Sequence, residues 1–226
     1  MPTLLMQLVG PMQSWGTTSR FDERDSQLEP SKSGVLGMLC AALGRDRAES
    51  VDDLARLRMG VRVDREGLLM RDYQTATGVL LAATARPDLH RTVVSKRFYL
   101  ADAAFLVGLE GIDAAWLQRL DAALRAPHWP LALGRKSFVP SLPVALASHY
   151  GVQPADIETA LAAQPRIAAG RRESQGQPVR LMLEHASAGA LRQDQPVAPF
   201  AQRRFGPRFV NSGVLHHVPE PVATQP

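Results

Sequence analysis

The feature that most constrains the fold is the order in which apolar periodicity changes along the chain. "TLLMQLV" (3–9) alternates as a strand, with Leu4, Met6 and Leu8 on one face and Leu5, Gln7 and Val9 on the other. Gly10-Pro11 ends it. After the polar loop "GTTSRFDERDSQLEP" (16–30), Pro30-Ser31 opens a helix, with Ser31 or Ser33 as N-cap. Val35, Leu36, Met38, Leu39, Ala42 and Leu43 form its apolar face, and Gly44 stops it. Ser50 and Asp53 have capping-box spacing for a short helix running to Arg58. "VRVDREGLLMRDY" (61–73) reads as two short strands around Glu66-Gly67. Residues 74–96, rich in Thr and Ala and carrying Pro87, read as an extended excursion with a mobile tip. "RFYLADAAFLVGLEG" (97–111) reads as one strong strand. Asp113 then caps a helix carrying Trp116, Leu117, Leu120 and Leu124, which stops before Pro127.

A further strand over 179–183 completes the order strand, helix, strand, strand, helix, strand. That is the ferredoxin-like split βαβ pattern, shared with RNA-recognition folds. The expected class is therefore α+β. Beyond 127 the pattern weakens to a helix near 154–163, connections rich in Gly, Pro and Arg, and a β-like stretch at 203–218. The 226 residues suffice for a real core. They divide into a core over 1–130, a β-rich part over 131–218 packed on it, and a disordered tail at 219–226.

A single cysteine, Cys40, lies in the apolar run "GVLGMLCAALG", so no disulfide forms within the chain and Cys40 reads as a core residue. Together with the lack of any 18-residue apolar run and of a basic leader before "MPTLLMQLVG", this points to a cytoplasmic protein with no membrane span. The formal charge is +4, and arginine outnumbers lysine 23 to 3. Arginine suits bidentate recognition of phosphate, although base composition of a genome gives the same bias.

Motifs for nucleotide or metal chemistry are missing. The sequence has no Walker loop, no GxGxxG, no nucleophile elbow and no zinc spacing among His90, His128, His149, His185, His216 and His217. No cofactor and no metal are expected. Basic residues beside glycines or aromatics stand out instead. "SKRFYLADAAF" carries Lys96, Arg97 and Tyr99 at a strand start. "LALGRKSFVP" sets Arg135, Lys136 and Ser137 after Gly134, where a backbone can approach a ligand. "PSKSG" puts Ser31, Lys32 and Ser33 at a helix start, a ready anion site. "GPMQSWG" (10–16) places Gln13 and Trp15 on the turn after the first strand, where Trp15 either plugs the core edge or stacks on a base. "RRFGPRFV" (203–210) loosely echoes an RNA-binding aromatic motif that Pro207 breaks.

Five blocks, "LVGPMQSWG", "PSKSGVLGMLCAALG", "RDYQTATG", "RFYLADAAF" and "LGRKSFVPSLPV", occur in the order and spacing of one family. Over residues 3–140 the chain resembles the CasD family, the Cas5 subunit of the type I-E CRISPR surveillance complex Cascade. The resemblance implies a RAMP-type, ferredoxin-like body with a β-hairpin thumb at about 74–96. It implies a non-catalytic subunit that caps the 5′ handle of CRISPR RNA, touches the backbone subunit CasC and the large subunit CasA, and meets target DNA only indirectly. On this reading Arg97, the pair Arg135-Lys136, and Lys32 match basic positions of the family. The candidate RNA-binding set is Gln13, Trp15, Ser31, Lys32, Ser33, Tyr73, Lys96, Arg97, Gly134, Arg135, Lys136 and Ser137. Ala132 departs from an aromatic that family members can carry, which removes one stacking contact. The alternatives are a metal-independent endoribonuclease of CRISPR repeat RNA, with Tyr73, Tyr99, His90 and Lys96 as its acid–base candidates, and an RNA-binding module outside CRISPR.

Overall fold

The computed structural model describes residues 1–18, 23–80, 87–167 and 176–220. Its strands are β1 (Thr3–Val9), β2 (Met12–Gln13), β3 (Glu23–Arg24), β4 (Arg58–Arg65), β5 (Leu68–Leu80), β6 (Pro87–Ala101), β7 (Ala104–Glu110), β8 (Val152–Gln153), β9 (Val179–His185), β10 (Ala190–Pro196) and β11 (Phe205–Leu215). Its helices are α1 (Lys32–Leu43), α2 (Asp52–Ala55), α3 (Ala114–Arg125), α4 (Ser148–Gly151) and α5 (Ile157–Ala163). One seven-stranded sheet runs β10-β11-β9-β4-β7-β1-β8, and a second runs β2-β6-β3, with β5 paired to β6.

The alternation in β1 is what places it. Leu4, Met6 and Leu8 enter the larger core beneath α1 and α3, while Leu5 and Val9 join Leu106, Ile157 and Leu161 beneath α5 on the other face. All seven residues of β7, beside it, are buried. A strand pair apolar on both faces must have layers on both sides. The ends of the helices also follow from local chemistry. Ser31 Oγ accepts from Gly34 N, and Gly44 closes α1 at φ 70 with the amides of Gly44 and Arg45 bonded to Ala41 O and Cys40 O. Asp113 and Asp156 cap α3 and α5 through Trp116 N and Thr159 N. Cys40 is buried, and burial pushes its thiol up to about 11, the state of an inert core residue.

Several expectations change in detail. The run 97–111 is two strands in different sheets, because Asp102 takes φ 58 and breaks it. The strand over 179–183 forms, but it hydrogen-bonds to β4, on the far side of β4 from β1. The second neighbour of β1, on the side away from β7, is the two-residue β8, so the split core reads β8-β1-β7-β4. β10, an outer strand of the same sheet, falls where only a connection was expected. The short helix ends at Ala55, and no capping box forms because Asp53 pairs with Arg45 at 2.7 Å. Residues 74–80 and 87–96 belong to the arms of one long hairpin that pairs from Leu68↔Ala101 to Leu80↔Pro87. Its tip, 81–86, lies outside the described residues. β5 is exposed along both faces, while the base of β6 packs on the body through Phe98, Tyr99 and Leu100, so the hairpin stands clear of the body only beyond its base. At the other end of the chain, Pro219 O accepts from Arg166 N at 2.7 Å and Glu220 lies 3.6 Å from Arg166, so 219–220 are held against the body. Residues 221–226 lie outside the described residues.

Candidate nucleic-acid interface

The loop after β1 is an internal brace. Gln13 Nε2 donates to Leu8 O at 3.0 Å and Ala103 O at 2.9 Å, and its Oε1 accepts from Trp15 Nε1 at 3.2 Å. The Trp15 ring is 1% exposed and lies on Gly34, where an added Cβ would come within 2.9 Å of it. Both polar groups of this costly pair are satisfied inside the protein. Gln13 and Trp15, expected in the RNA groove, are thus core residues. Ser14 between them ties the loop outward, with Oγ to Phe98 O at 3.2 Å and N to Leu133 O at 3.0 Å.

The start of α1 is likewise filled from within. Lys32 is 1% exposed, and its Nζ lies 3.0 Å from both carboxylate oxygens of Glu184 on β9. Its amide donates to Asp194 Oδ2 at 2.8 Å, and Asp194 pairs in turn with Arg208 at 2.6 Å. Desolvation holds the Lys32 ammonium below the usual lysine value, against the pull of Glu184. The expected anion is therefore the carboxylate of Asp194, and Lys32 joins α1 to the C-terminal strands. Ser31 is spent as N-cap, and Ser33 sits half-buried on the first turn. Arg208, the arginine inside the "RRFGPRFV" echo, is consumed by the same network.

Charge is left over at the base of the hairpin. β3 runs parallel to β6, bringing Glu23 beside Lys96 and Arg24 beside Arg97, while β5 sets Asp72 opposite Arg97 and Tyr73 opposite Lys96. Directly opposed residues share a face and neighbours on a strand do not. Arg24, Arg97 and Asp72 therefore lie on one face, Lys96 and Tyr73 on the other, where Tyr73 is 64% exposed. Arg135 joins the first face. Its Nη2 donates to Phe98 O at 2.8 Å, and its guanidinium lies 5.3 Å from the centre of the Phe138 ring, which packs against Tyr99. Arg135 Nη1 is buried with no hydrogen-bond partner among the described residues. Burial foremost, then the charges of Arg97 and Arg24, hold Arg135 below the usual arginine value, with Asp72 and Asp25 opposing.

Gly134 makes this placement possible, for a reason other than the expected one. It takes φ +92, and a Cβ there would stand 1.8 Å from Ser14 O. The close approach that the structure shows is to the loop after β1. Lys136 and Ser137 remain exposed on the same turn. The candidate set thus divides into a braced interior (Gln13, Trp15, Ser31, Lys32, with Ser33 half-buried beside it), a guanidinium face (Arg97, Arg135), an opposite hairpin face (Tyr73, Lys96) and the turn of Gly134, Lys136 and Ser137. Arg24 belongs to the guanidinium face and was missed, because a two-residue strand within a polar loop leaves no periodic signal. Three guanidiniums with an unsatisfied N–H favour a multivalent oxyanion.

Residues 3–211 match the family described as CRISPR-associated protein (Cas_Cas5). The CRISPR system Cascade subunit CasD of Escherichia coli (strain K12) is 33% identical over 170 residues, covering 67% of this chain and 73% of that one. A solved chain described as "Crystal structure of Cas protein" aligns with TM-score 0.80 and 48% identity, over 97% of this chain and 98% of that one. A chain from a "CRISPR RNA-guided surveillance complex" aligns with TM-score 0.79 and 34% identity, over 96% of this chain and 91% of that one. The chain belongs to the CRISPR-associated Cas5 family.

Proposed function

We propose that this protein is the CasD-type subunit of a cytoplasmic CRISPR RNA-guided surveillance complex and that it holds the 5′ handle of CRISPR RNA without cutting it. The observation that carries this reading is the face formed by Arg24, Arg97 and Arg135, on which Arg135 Nη1 has no partner among the described residues. A turning single strand offers such a face phosphates and base edges, and Tyr73 on the opposite hairpin face offers a stacking surface. The body supports it too. The order β8-β1-β7-β4, with α1 joining β1 to β4 and α3 preceding β8, is ferredoxin-like connectivity, which we read as the RAMP-type scaffold of an RNA-binding subunit. The long exposed hairpin is then the thumb, reaching toward the backbone subunit CasC, with CasA the other neighbour.

Cleavage needs a base and a charge stabiliser at one phosphate. His90 lies six residues from Lys96 along β6, about 20 Å for extended chain, so the two do not serve one scissile bond. The Tyr99 ring packs against Phe138. The test uses labelled repeat RNA and mature CRISPR RNA bearing its 5′ handle, in EDTA, with the chain co-expressed with its backbone subunit. Handle-dependent binding without cutting, weakened by Arg97→Ala, is the expected result. Specific cutting of the repeat makes the protein a nuclease, and indifference to the handle defeats the reading.

A further inference from the structure

Segment 23–29 touches the guanidinium face at one end and the C-terminal strands at the other. Its first two residues form β3, the only regular structure that carries Arg24, and a two-residue ladder holds a side chain weakly. Five residues on, Glu29 is buried between two arginines, 3.0 Å from Arg180 Nη1 on β9 and 2.6 Å from Arg192 Nη2 on β10. Arg192 Nη1 also donates to Gln27 Oε1 at 2.8 Å, so one guanidinium grips two residues of the segment. Between these points the Gln27 amide donates to Trp15 O at 3.0 Å, and Ser26 Oγ accepts from Trp15 N at 3.1 Å. A chain pinned at Glu29 leaves Arg24 at most about 17 Å of extended reach. The bonds of Gln27 and Ser26, and those of Thr17 N at 3.2 Å and Thr18 N at 3.3 Å to Asp25 Oδ2, narrow that reach further.

We propose that Glu29 is a positioning residue: clamped by Arg180 and Arg192, it holds Arg24 in register with Arg97, and so makes the C-terminal strands β9 and β10 part of the RNA site. This rests on the handle-binding reading above. It gives those strands a role in binding rather than in packing alone. Glu66 supplies the internal control. It pairs with the same Arg180 at 2.8 Å but sits exposed in the turn between β4 and β5, and its side chain bonds to no residue of the segment among the described residues.

The experiment measures handle-RNA affinity and its salt dependence for Arg24→Ala, Glu29→Gln, the double variant and Glu66→Gln, with melting temperatures alongside. Arg24→Ala and Glu29→Gln should each weaken binding about tenfold and lower the salt slope by about 0.7, the loss of one phosphate contact on a single strand. The double variant should be no worse than either single one, because Glu29 acts through Arg24. Glu66→Gln should bind like the unmodified protein. If Glu29→Gln does not fold, Arg192→Met, which leaves Glu29 paired to Arg180, carries the same prediction. Additive losses, or an unchanged salt slope in Glu29→Gln, overturn the clamp, as does an inert Arg24→Ala beside a weakened Arg97→Ala. If Arg97→Ala is inert as well, the handle-binding reading itself fails.

Discussion

The start of α1 and the base of the β5–β6 hairpin hold similar charge in opposite ways. At α1, Lys32 meets Glu184, its amide meets Asp194, and Arg208 closes the network from β11, between β10 and β9. Each cation there faces a carboxylate, and Lys32 and Asp194 are buried. At the hairpin base, Arg24, Arg97 and Arg135 crowd one face, and Arg135 finds only a carbonyl and an aromatic ring. A buried charge with a matched partner is a strut, because removing either side strands the other. A cation that the fold desolvates beside like charges is held ready for an anion from outside. The same residue types, each next to a glycine or a helix start, differ in whether a carboxylate pairs with the cation: Glu184 pairs with Lys32, whereas Asp72, although opposite Arg97, forms no ion pair with Arg97 or Arg135 among the described residues.

Stability should therefore concentrate at one end and affinity at the other. The largest effect is expected at Trp15, which belongs to the braced side of this contrast. Trp15→Ala should cost about 4 kcal/mol of unfolding free energy, the usual range for a buried aromatic lost to a cavity. Handle affinity per folded molecule should stay unchanged. Denaturant titration and a binding assay corrected for the folded fraction read the two quantities separately, and a loss of affinity in the folded fraction would place the ring back at the RNA.

Next in size is Lys32→Met. It leaves Glu184 with Met59 N and the more distant Arg208 as partners, so a loss of about 2–3 kcal/mol is expected, again without a change in handle affinity. Opposite behaviour is expected of Arg97→Ala and Arg135→Ala. Each should weaken handle binding about tenfold, or about 1.4 kcal/mol, and flatten its salt dependence while leaving the melting temperature nearly in place. A Lys32 variant that binds weakly when folded, or an Arg135 variant that binds normally, would erase the distinction between the two regions.

How far this contrast could be read from residues alone depends on the range of the interactions. Alternation in β1, the Ser31 and Asp113 caps and the Gly44 stop are signals a few residues long, and each appears where it was expected. β8 has two residues and exists only because β1 offers it an edge. β10 carries "ALRQDQP", with neither an apolar alternation nor a β-branched residue, and it forms because β11 pairs with it. The break at Asp102 is a single polar residue inside an otherwise apolar run, and a lone Asp does not by itself mark a strand that changes sheets. The site divides in the same way. Arg97 and Arg135 are visible as basic residues beside aromatics, but their meeting depends on Gly134 pressing against Ser14, a contact across about half the chain. Lys32 misleads for the matching reason: its partners Glu184 and Asp194 lie more than 150 residues away.

The smallest expected effect sharpens the same contrast through pH. Burial lowers Lys32 in the folded protein below its ordinary 10.5, while the unfolded chain keeps the ordinary value. Between the lowered value and 10.5 the unfolded chain binds more proton, so unfolding free energy rises with pH there. The contribution is complete above 10.5 and is lost as pH falls through the folded value. Comparing unmodified protein with Lys32→Met cancels every other titrating group. The difference in stability between them should widen as pH is raised from 8 toward 10.5. A flat difference would mean that Glu184 fully offsets the desolvation of Lys32, and that the strut holds its charge at no net electrostatic cost.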